Sequence, residues 1–347
     1  MSGAASMRVG MYYRNDDVRV QELPVPKIGA GEALVKVHAS GICGSDVMEW
    51  YRIKKAPLVL GHEIAGEIVE LGAGVTRYEP GDRVFVSHHV PCNTCRYCLR
   101  GDHTACETLH TTNFDPGGFS EYLRVPALQT DRGIIKLPDE VSWEEGTFVE
   151  PLACVVRGQR VANLRPSDSV LVLGSGISGL MHVMLAKALG AGRILATDVA
   201  DFRLDMAKAL GAEHVIRATD DVPARVRELN EGRGADLVIV CTGARPAFTQ
   251  ALSSVDRGGS VMFFAPTDPG VDLPVPVNDF WRNGIKLMPS YGAAPNDLAI
   301  STELIRSKRV PVAKLVTHKL PMDQIGVGFM LTAKPQNSMK VVIEPHR

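Results

Sequence analysis

Four cysteines, Cys92, Cys95, Cys98 and Cys106, fall within fifteen residues in the spacing C-x2-C-x2-C-x7-C. Four thiolates in one short loop match the donor number of a closed tetrahedral zinc site. Such a site leaves no coordination position for a reactant, so its expected role is structural. An iron–sulfur cluster is the competing reading, but the close fourth Cys followed by Pro is missing, and Glu107 follows Cys106. A second set is dispersed: Cys43 in Gly41-Ile-Cys-Gly-Ser-Asp46, then Gly61-His-Glu63, then Glu150-Pro151. Alone, each has a bland reading, as a small buried thiol, a turn imidazole or a helix-start carboxylate. Together, Cys43, His62 and a carboxylate make the mixed donor set of a zinc with an open position. Glu63 and Glu150 both stand as the third donor. Successive residues of an extended segment point to opposite faces, so His62 and Glu63 share a metal only if the backbone turns, which Gly61 makes available. Asp46 is placed to orient the His62 ring.

A different chemistry is written at Val170-Leu-Val-Leu-Gly-Ser-Gly-Ile-Ser-Gly179, a buried-strand pattern running into G-x-G-x-x-G. Gly174 permits a tight turn, Gly176 lets the backbone approach a pyrophosphate, and Gly179 lets the following helix pack on the strand. Ile177 and Ser178 open that helix, whose free N–H groups and partial positive charge face the phosphates. Asp198 closes the next strand pattern, 19 residues after Gly179. An acidic residue there binds a ribose 2′-hydroxyl and repels a 2′-phosphate, so NAD is expected over NADP. Arg203 is expected along the adenine or ribose.

The elements that must position these groups divide the chain. Its 347 residues suggest about two domains. The 38 basic and 39 acidic residues balance to a net charge of -1, giving no electrostatic reason to expect nucleic acid or an anionic membrane as partner. Seven cysteines, an odd and clustered set, point to metal binding in a reducing compartment rather than to disulfides. The N-terminus lacks the apolar core of a signal peptide. Residues 169–186 are uncharged but broken by three glycines, which fits a strand, turn and helix better than a membrane span. A cytoplasmic protein is expected. Short β-branched runs at 33–38, 67–71 and 83–87, bounded by Gly-rich turns, predict an antiparallel, barrel-like module. Strand patterns at 170–173, 194–197, 237–241 and 261–264 alternate with helical ones at 180–189 and 202–210, predicting a parallel sheet covered on both faces. From residue 297 a helix (298–307), a strand (315–320), a helix (323–331) and a strand (340–344) follow. Pattern alone does not say whether they extend the parallel sheet or return to the first module.

The order GICGSD, GHE, four-cysteine lobe, strand-GSGISG and closing Asp resembles the zinc-containing medium-chain dehydrogenase/reductase family essentially end to end. Gly-Ser-Asp after Cys43 and Glu-Pro at 150 look more like the sorbitol, glucose and threonine dehydrogenase branch than the alcohol dehydrogenase branch. The latter usually has a Cys near position 154 as third ligand, and Cys154 lies close to Glu150. The resemblance implies an α/β protein with a barrel-like, GroES-like β-rich catalytic domain (1–156 and 297–347) carrying the structural zinc lobe at 90–108. A Rossmann doubly wound parallel-sheet domain that binds NAD (157–296) is inserted in it. By the same resemblance Cys43 and His62 are zinc ligands, Glu63 and Glu150 are ligand or metal-water contacts, and Ser45 relays the proton. Two zinc ions per subunit, one catalytic and one structural, and NAD are the implied cofactors. The implied partners are a small alcohol or polyol and further copies of the chain, as homodimer or homotetramer, with no nucleic acid or membrane. The implied reaction is reversible oxidation of a secondary alcohol of a polyol or sugar to the ketone. An amino-alcohol such as threonine is the competing substrate, and an NAD-binding sensor without turnover the competing class. Trp50, Tyr51, Phe114 and Phe119 either line the substrate pocket or pack the barrel. Arg14 and His89 are candidates for binding a substrate carboxylate.

Overall fold

A computed structural model describes residues 6–347, which form two compact units. The first takes the chain up to Ala153 together with Ala293–Arg347; the second is Cys154–Gly292.

In the first unit, Ala33–Gly41 is the hub strand. It pairs antiparallel with Glu63–Leu71 and Tyr122–Val125, and beyond Glu63–Leu71 the sheet continues through Arg83–Val86 to Ile134–Lys136. The β-branched residues that mark these runs fill one core. Val35, Val37, Ile64, Ile68, Val84, Val86 and Leu123 are all buried there with Phe114. Each fully buried Val or Leu of this kind stabilises the fold by about 1.5–3 kcal/mol. The last segments return to this unit: Lys340–Glu344 pairs antiparallel with the hub strand, Val342 opposite Gly41, and Val316–Pro321 runs parallel beside it. Pairing between distant segments decides what local pattern left open. A smaller sheet of Asp17–Pro24, Ser6–Arg14 and Leu58–Val59 has no counterpart in the sequence reading, because Asp17–Pro24 carries charged and half-exposed residues throughout.

The second unit holds a six-stranded parallel sheet in the order His214–Arg217, Arg193–Asp198, Ser169–Leu173, Ala235–Val240, Val255–Phe263, Lys286–Pro289. Ser169–Leu173 is buried at every position, as a central strand covered on both faces must be. The uncharged run 169–186 resolves into this strand and the start of the helix Ile177–Ala188. Among the described residues no helix is long and apolar enough to cross a membrane. The edge strand Lys286–Pro289 has no counterpart among the strand patterns of the sequence, because its side chains are mostly exposed and show no apolar run.

His182, on the helix Ile177–Ala188, is wholly buried with its ring edge-on to Phe264, 4.6 Å between centroids. The Gln159 side-chain amide donates to the His182 carbonyl at 2.8 Å and lies 3.2 Å from its Nδ1. Burial pushes the imidazole down to about 3. The unfolded chain therefore takes up a proton near pH 6.5 that the folded chain refuses until about pH 3. Stability from this group is present above about pH 6.5 and is lost as pH falls through that window, by up to about 1.4 kcal/mol per unit. His182→Leu is expected to flatten the fall in melting temperature between pH 6.5 and 4; a variant with the same slope as the parent would rule His182 out as the source.

Candidate metal and nucleotide sites

The four-cysteine lobe is built from short pieces: the loop that holds Cys92 and Cys95, the helix Arg96–Leu99 that holds Cys98, and the loop up to Cys106. Their sulfurs converge, with Cys95–Cys98 at 3.5 Å, Cys92–Cys106 at 3.6 Å and Cys92–Cys98 at 4.0 Å. Tetrahedral Zn–S bonds of about 2.3 Å put ligand sulfurs about 3.8 Å apart, so the spacing fits zinc without rearrangement. All four cysteines are free thiols. The backbone N–H groups of Thr94 and Cys95 donate to Cys92 Sγ, and these bonds hold its thiol down at about 5, which favours the thiolate a metal requires. Burial pushes Cys98 the other way, to about 12. A shared cation resolves that conflict by stabilising every thiolate at once.

The second group is Cys43, His62 and Glu63, whose donor atoms lie within 4.8 Å of one another. Cys43 stands two residues past the end of the hub strand, and Glu63 opens the strand paired with it, Gly41 standing opposite Glu63. Gly61 adopts a positive φ of 92°, and a Cβ there would come within 2.8 Å of the Phe119 backbone nitrogen. This is the turn that lets two successive side chains approach one thiolate. Cys43 Sγ accepts from both the backbone N–H and the hydroxyl of Ser45 at 3.4 Å. His62 Nδ1 faces Asp46 Oδ1 at 3.3 Å, so the orienting carboxylate sits on the Cys43 loop itself. Burial disfavours a charged His62, but Asp46 and the Cys43 sulfur more than offset it and push the imidazole well above its ordinary value. Thiolate, imidazole and carboxylate gathered in a water-poor site fit zinc better than the oxygen-only preference of magnesium or calcium.

Sequence reasoning missed the charge that answers Glu63. Lys340 is buried, about 1% exposed, with its ammonium on the Glu63 carboxylate and its Nζ also donating to the Ile42 carbonyl at 3.3 Å. The available signal was a lysine opening the otherwise apolar run Lys-Val-Val-Ile, since a lysine in a core strand demands an acidic partner. Arg52 and His88 were also missed. Arg52 donates to Ser45, and the His88 ring lies 4.7 Å from His62 and 3.8 Å from His89.

The remaining candidates are not part of this three-residue donor group. Glu150 is half-buried in the first turn of Val149–Val161 and does not join the three-residue cluster, nor does Cys154. Arg14 is exposed and paired with Asp16 at 2.7 Å, which spends it away from the metal group. Phe114 and Phe119 are core residues, whereas Trp50 and Tyr51 are each 42% exposed. His89 stays beside His88.

In the second unit the Gly-rich turn follows Ser169–Leu173. Gly174 has φ 94°, and a Cβ on Gly179 would strike the Gly174 carbonyl at 1.9 Å. A Cβ on Gly176, by contrast, would meet nothing within 4 Å. The turn is therefore tight on its protein side and open on the other, the shape a pyrophosphate needs in front of the N-terminus of Ile177–Ala188. Asp198, 5% exposed, ends its strand and accepts from the Ser175 and Ala200 backbone N–H groups at 2.9 and 3.0 Å. Arg203 Nη1 lies 3.6 Å from the same carboxylate.

A family model described as "Alcohol dehydrogenase GroES-like domain" matches residues 29–139, and one described as "Zinc-binding dehydrogenase" matches residues 178–307. Sorbitol dehydrogenase of Gallus gallus is 32% identical, covering 96% of this chain and 94% of its own. L-threonine 3-dehydrogenase of Bacillus velezensis is 35% identical, covering 94% and 95%. Among solved structures, alcohol dehydrogenase TADH from Thermus sp. ATN1 superposes with a TM-score of 0.87 at 31% identity, covering 97% of this chain and 99% of that one.

Removing one partner of the Lys340–Glu63 pair leaves a buried charge unanswered, which costs about 3–5 kcal/mol. Lys340→Met is expected to lower the unfolding free energy of zinc-free protein, measured in urea, by that order, and to lower it less in zinc-loaded protein if the cation also answers Glu63. Equal losses with and without zinc would show that Glu63 and the metal do not interact.

Proposed function

Because the chain belongs to the zinc-type medium-chain dehydrogenase/reductase family, we propose that this oxidoreductase reversibly takes a secondary alcohol of a polyol or sugar to the ketone, with NAD as cofactor. The observation that carries this reading is the mixed donor group of Cys43, His62 and Glu63 within 4.8 Å, three protein donors that leave a fourth position for substrate. When bound, zinc supplies the Lewis acidity that acidifies a hydroxyl, and NAD accepts the hydride.

The chain's own residues do the rest. Cys43, His62 and Glu63 hold the metal in this reading, while Glu150, outside the cluster, acts only through water. Asp46 fixes the His62 tautomer with its ring N–H toward the carboxylate. Ser45 Oγ would take the substrate proton on its free lone pair and give its own hydrogen, turned from Cys43 Sγ, to solvent water, since a hydroxyl has one hydrogen to give and two lone pairs to receive. In the other unit Gly174, Gly176, Ile177, Ser178 and Gly179 cradle the pyrophosphate, and Asp198 selects NAD by repelling a 2′-phosphate. Arg203 lies along the adenosine. The four-cysteine lobe binds the structural zinc, and a reducing, cytoplasmic setting keeps its thiolates available.

The polyol assignment is supported by the sorbitol dehydrogenase relative. Oxidation of an amino-alcohol is the second reading, favoured by the threonine dehydrogenase at 35% identity. A second copy of the chain is a further proposed partner. The helix Val277–Asn283 beside the edge strand Lys286–Pro289 exposes Val277 at 69% and Trp281 at 81%, apolar surface that association would cover.

Two measurements test this reading. Cys43→Ser is expected to cut NAD-linked turnover of polyols by about 1000-fold, with metal-site zinc lost and NADH fluorescence binding preserved. Full activity in the zinc-free variant, or preference for NADPH, would overturn the metal or the Asp198 assignment respectively. Sedimentation is expected to give a dimer or larger that Trp281→Glu weakens; a monomer at micromolar concentration would remove the second copy.

A further inference from the structure

Arg52 is fixed by its own loop in a way that leaves one edge of its charge unspent. Its Nε donates to the Ser45 carbonyl at 2.9 Å and its Nη2 to Ser45 Oγ at 3.2 Å. The Tyr51 ring lies 4.6 Å from the guanidinium carbon, and the side chain is only 15% exposed. The one carboxylate that pairs with it, Asp46, has Oδ1 3.5 Å from Nη2 and 3.3 Å from His62 Nδ1 while Oδ2 accepts from the Cys43 backbone N–H at 3.1 Å, so this pairing uses the Nη2 edge of the guanidinium. Among the described residues Nη1 has no acceptor. Nη1 is not a buried unpartnered atom: its two N–H donors reach solvent, where an anionic oxygen of a ligand would pair with them.

The neighbouring groups offer none. Burial keeps His88 and His89 neutral, His89 down at about 4, and the Arg52 charge reinforces the effect on both rings. Arg52, His62, His88 and His89 thus share one neighbourhood. The buried Nδ1 of His88 is likewise without a partner. Glu63 is answered by Lys340. Contacts of 3.2 and 3.4 Å lead from Arg52 Nη2 through Ser45 Oγ to Cys43 Sγ, which puts the guanidinium two contacts away from the metal cluster.

We propose that Arg52 binds a carboxylate carried by the alcohol substrate, so that the preferred substrate is a hydroxy acid rather than a neutral polyol. This rests on the alcohol-oxidation reading above and narrows it. Arg52 serves as a specificity residue, and Ser45, gripped by the same guanidinium, keeps its second lone pair for the substrate proton.

The test uses the zinc- and NAD-loaded enzyme with D-gluconate and L-gulonate, each differing from sorbitol at a single terminal carbon, beside sorbitol and L-threonine. Expected is a kcat/KM at least about tenfold higher for one carboxylate substrate than for sorbitol. Arg52→Met is expected to lower that ratio by about 30-fold or more, mainly through KM, and Arg52→Lys to restore part of it. Calorimetric binding of the same compounds to the NADH-loaded protein gives a readout independent of turnover and is expected to show the same Arg52 dependence. Preference for threonine over the sugar acids, with that dependence, supports carboxylate recognition and names the amino acid as its source. An unchanged ratio in Arg52→Met, or carboxylates bound no better than sorbitol, overturns the proposal. Carboxylate bound through Arg52 but never oxidised would leave this assignment standing and sink the oxidation reading; brisk sorbitol turnover with no carboxylate binding would do the reverse.

Discussion

Two successive residues, His62 and Glu63, must bring their side chains to one thiolate, although extended backbone sends neighbours to opposite faces. Gly61 resolves this with a left-handed turn packed against the Phe119 backbone, where no Cβ would fit. The Cys43 loop leaves the hub strand at the point where Gly41 faces Glu63, so the pairing of two strands sets the distance between the thiolate and the carboxylate. If that register slipped by one residue, Glu63 would turn to the other face and the donor group would dissolve.

Gathering charges in the dry interior of a β module obliges every one of them to be answered. Asp46 is answered by Arg52 and His62, and Glu63 by Lys340, the last arriving from the far end of the chain. The Lys340 contact explains why the C-terminal segment belongs to this unit. Its strand pairs beside Ala33–Gly41 and delivers a cation that makes a buried Glu63 tolerable. Packing and electrostatics therefore place the same constraint on residues nearly three hundred positions apart.

The Gly-rich turn of the second unit shows the opposite economy, because everything it needs is local. Strand, turn and helix are contiguous, and the three glycines differ in what their missing Cβ allows: a positive φ at Gly174, open space at Gly176, backbone contact at Gly179. For that reason the pattern could be located from sequence, including the buried Asp198 at the end of the following strand. The strands with strong apolar runs, such as Ser169–Leu173 and Ala235–Val240, were equally legible. Asp17–Pro24 and Lys286–Pro289 were not, since edge strands bury little and carry no periodic signal.

By itself the sequence determined the donor types and the local motifs, because thiolate spacing and a glycine turn act over a few residues of contiguous chain. It named Glu63 and Glu150 as equal candidates and could not rank them. Only the tertiary structure gathered Cys43, His62 and Glu63 and left Glu150 outside. It alone set Lys340 on Glu63 and Arg52 on Ser45 and beside Asp46. Counter-charges are chosen by which strands and loops happen to lie side by side, and that proximity is a property of the folded sheet that no local pattern of residues encodes.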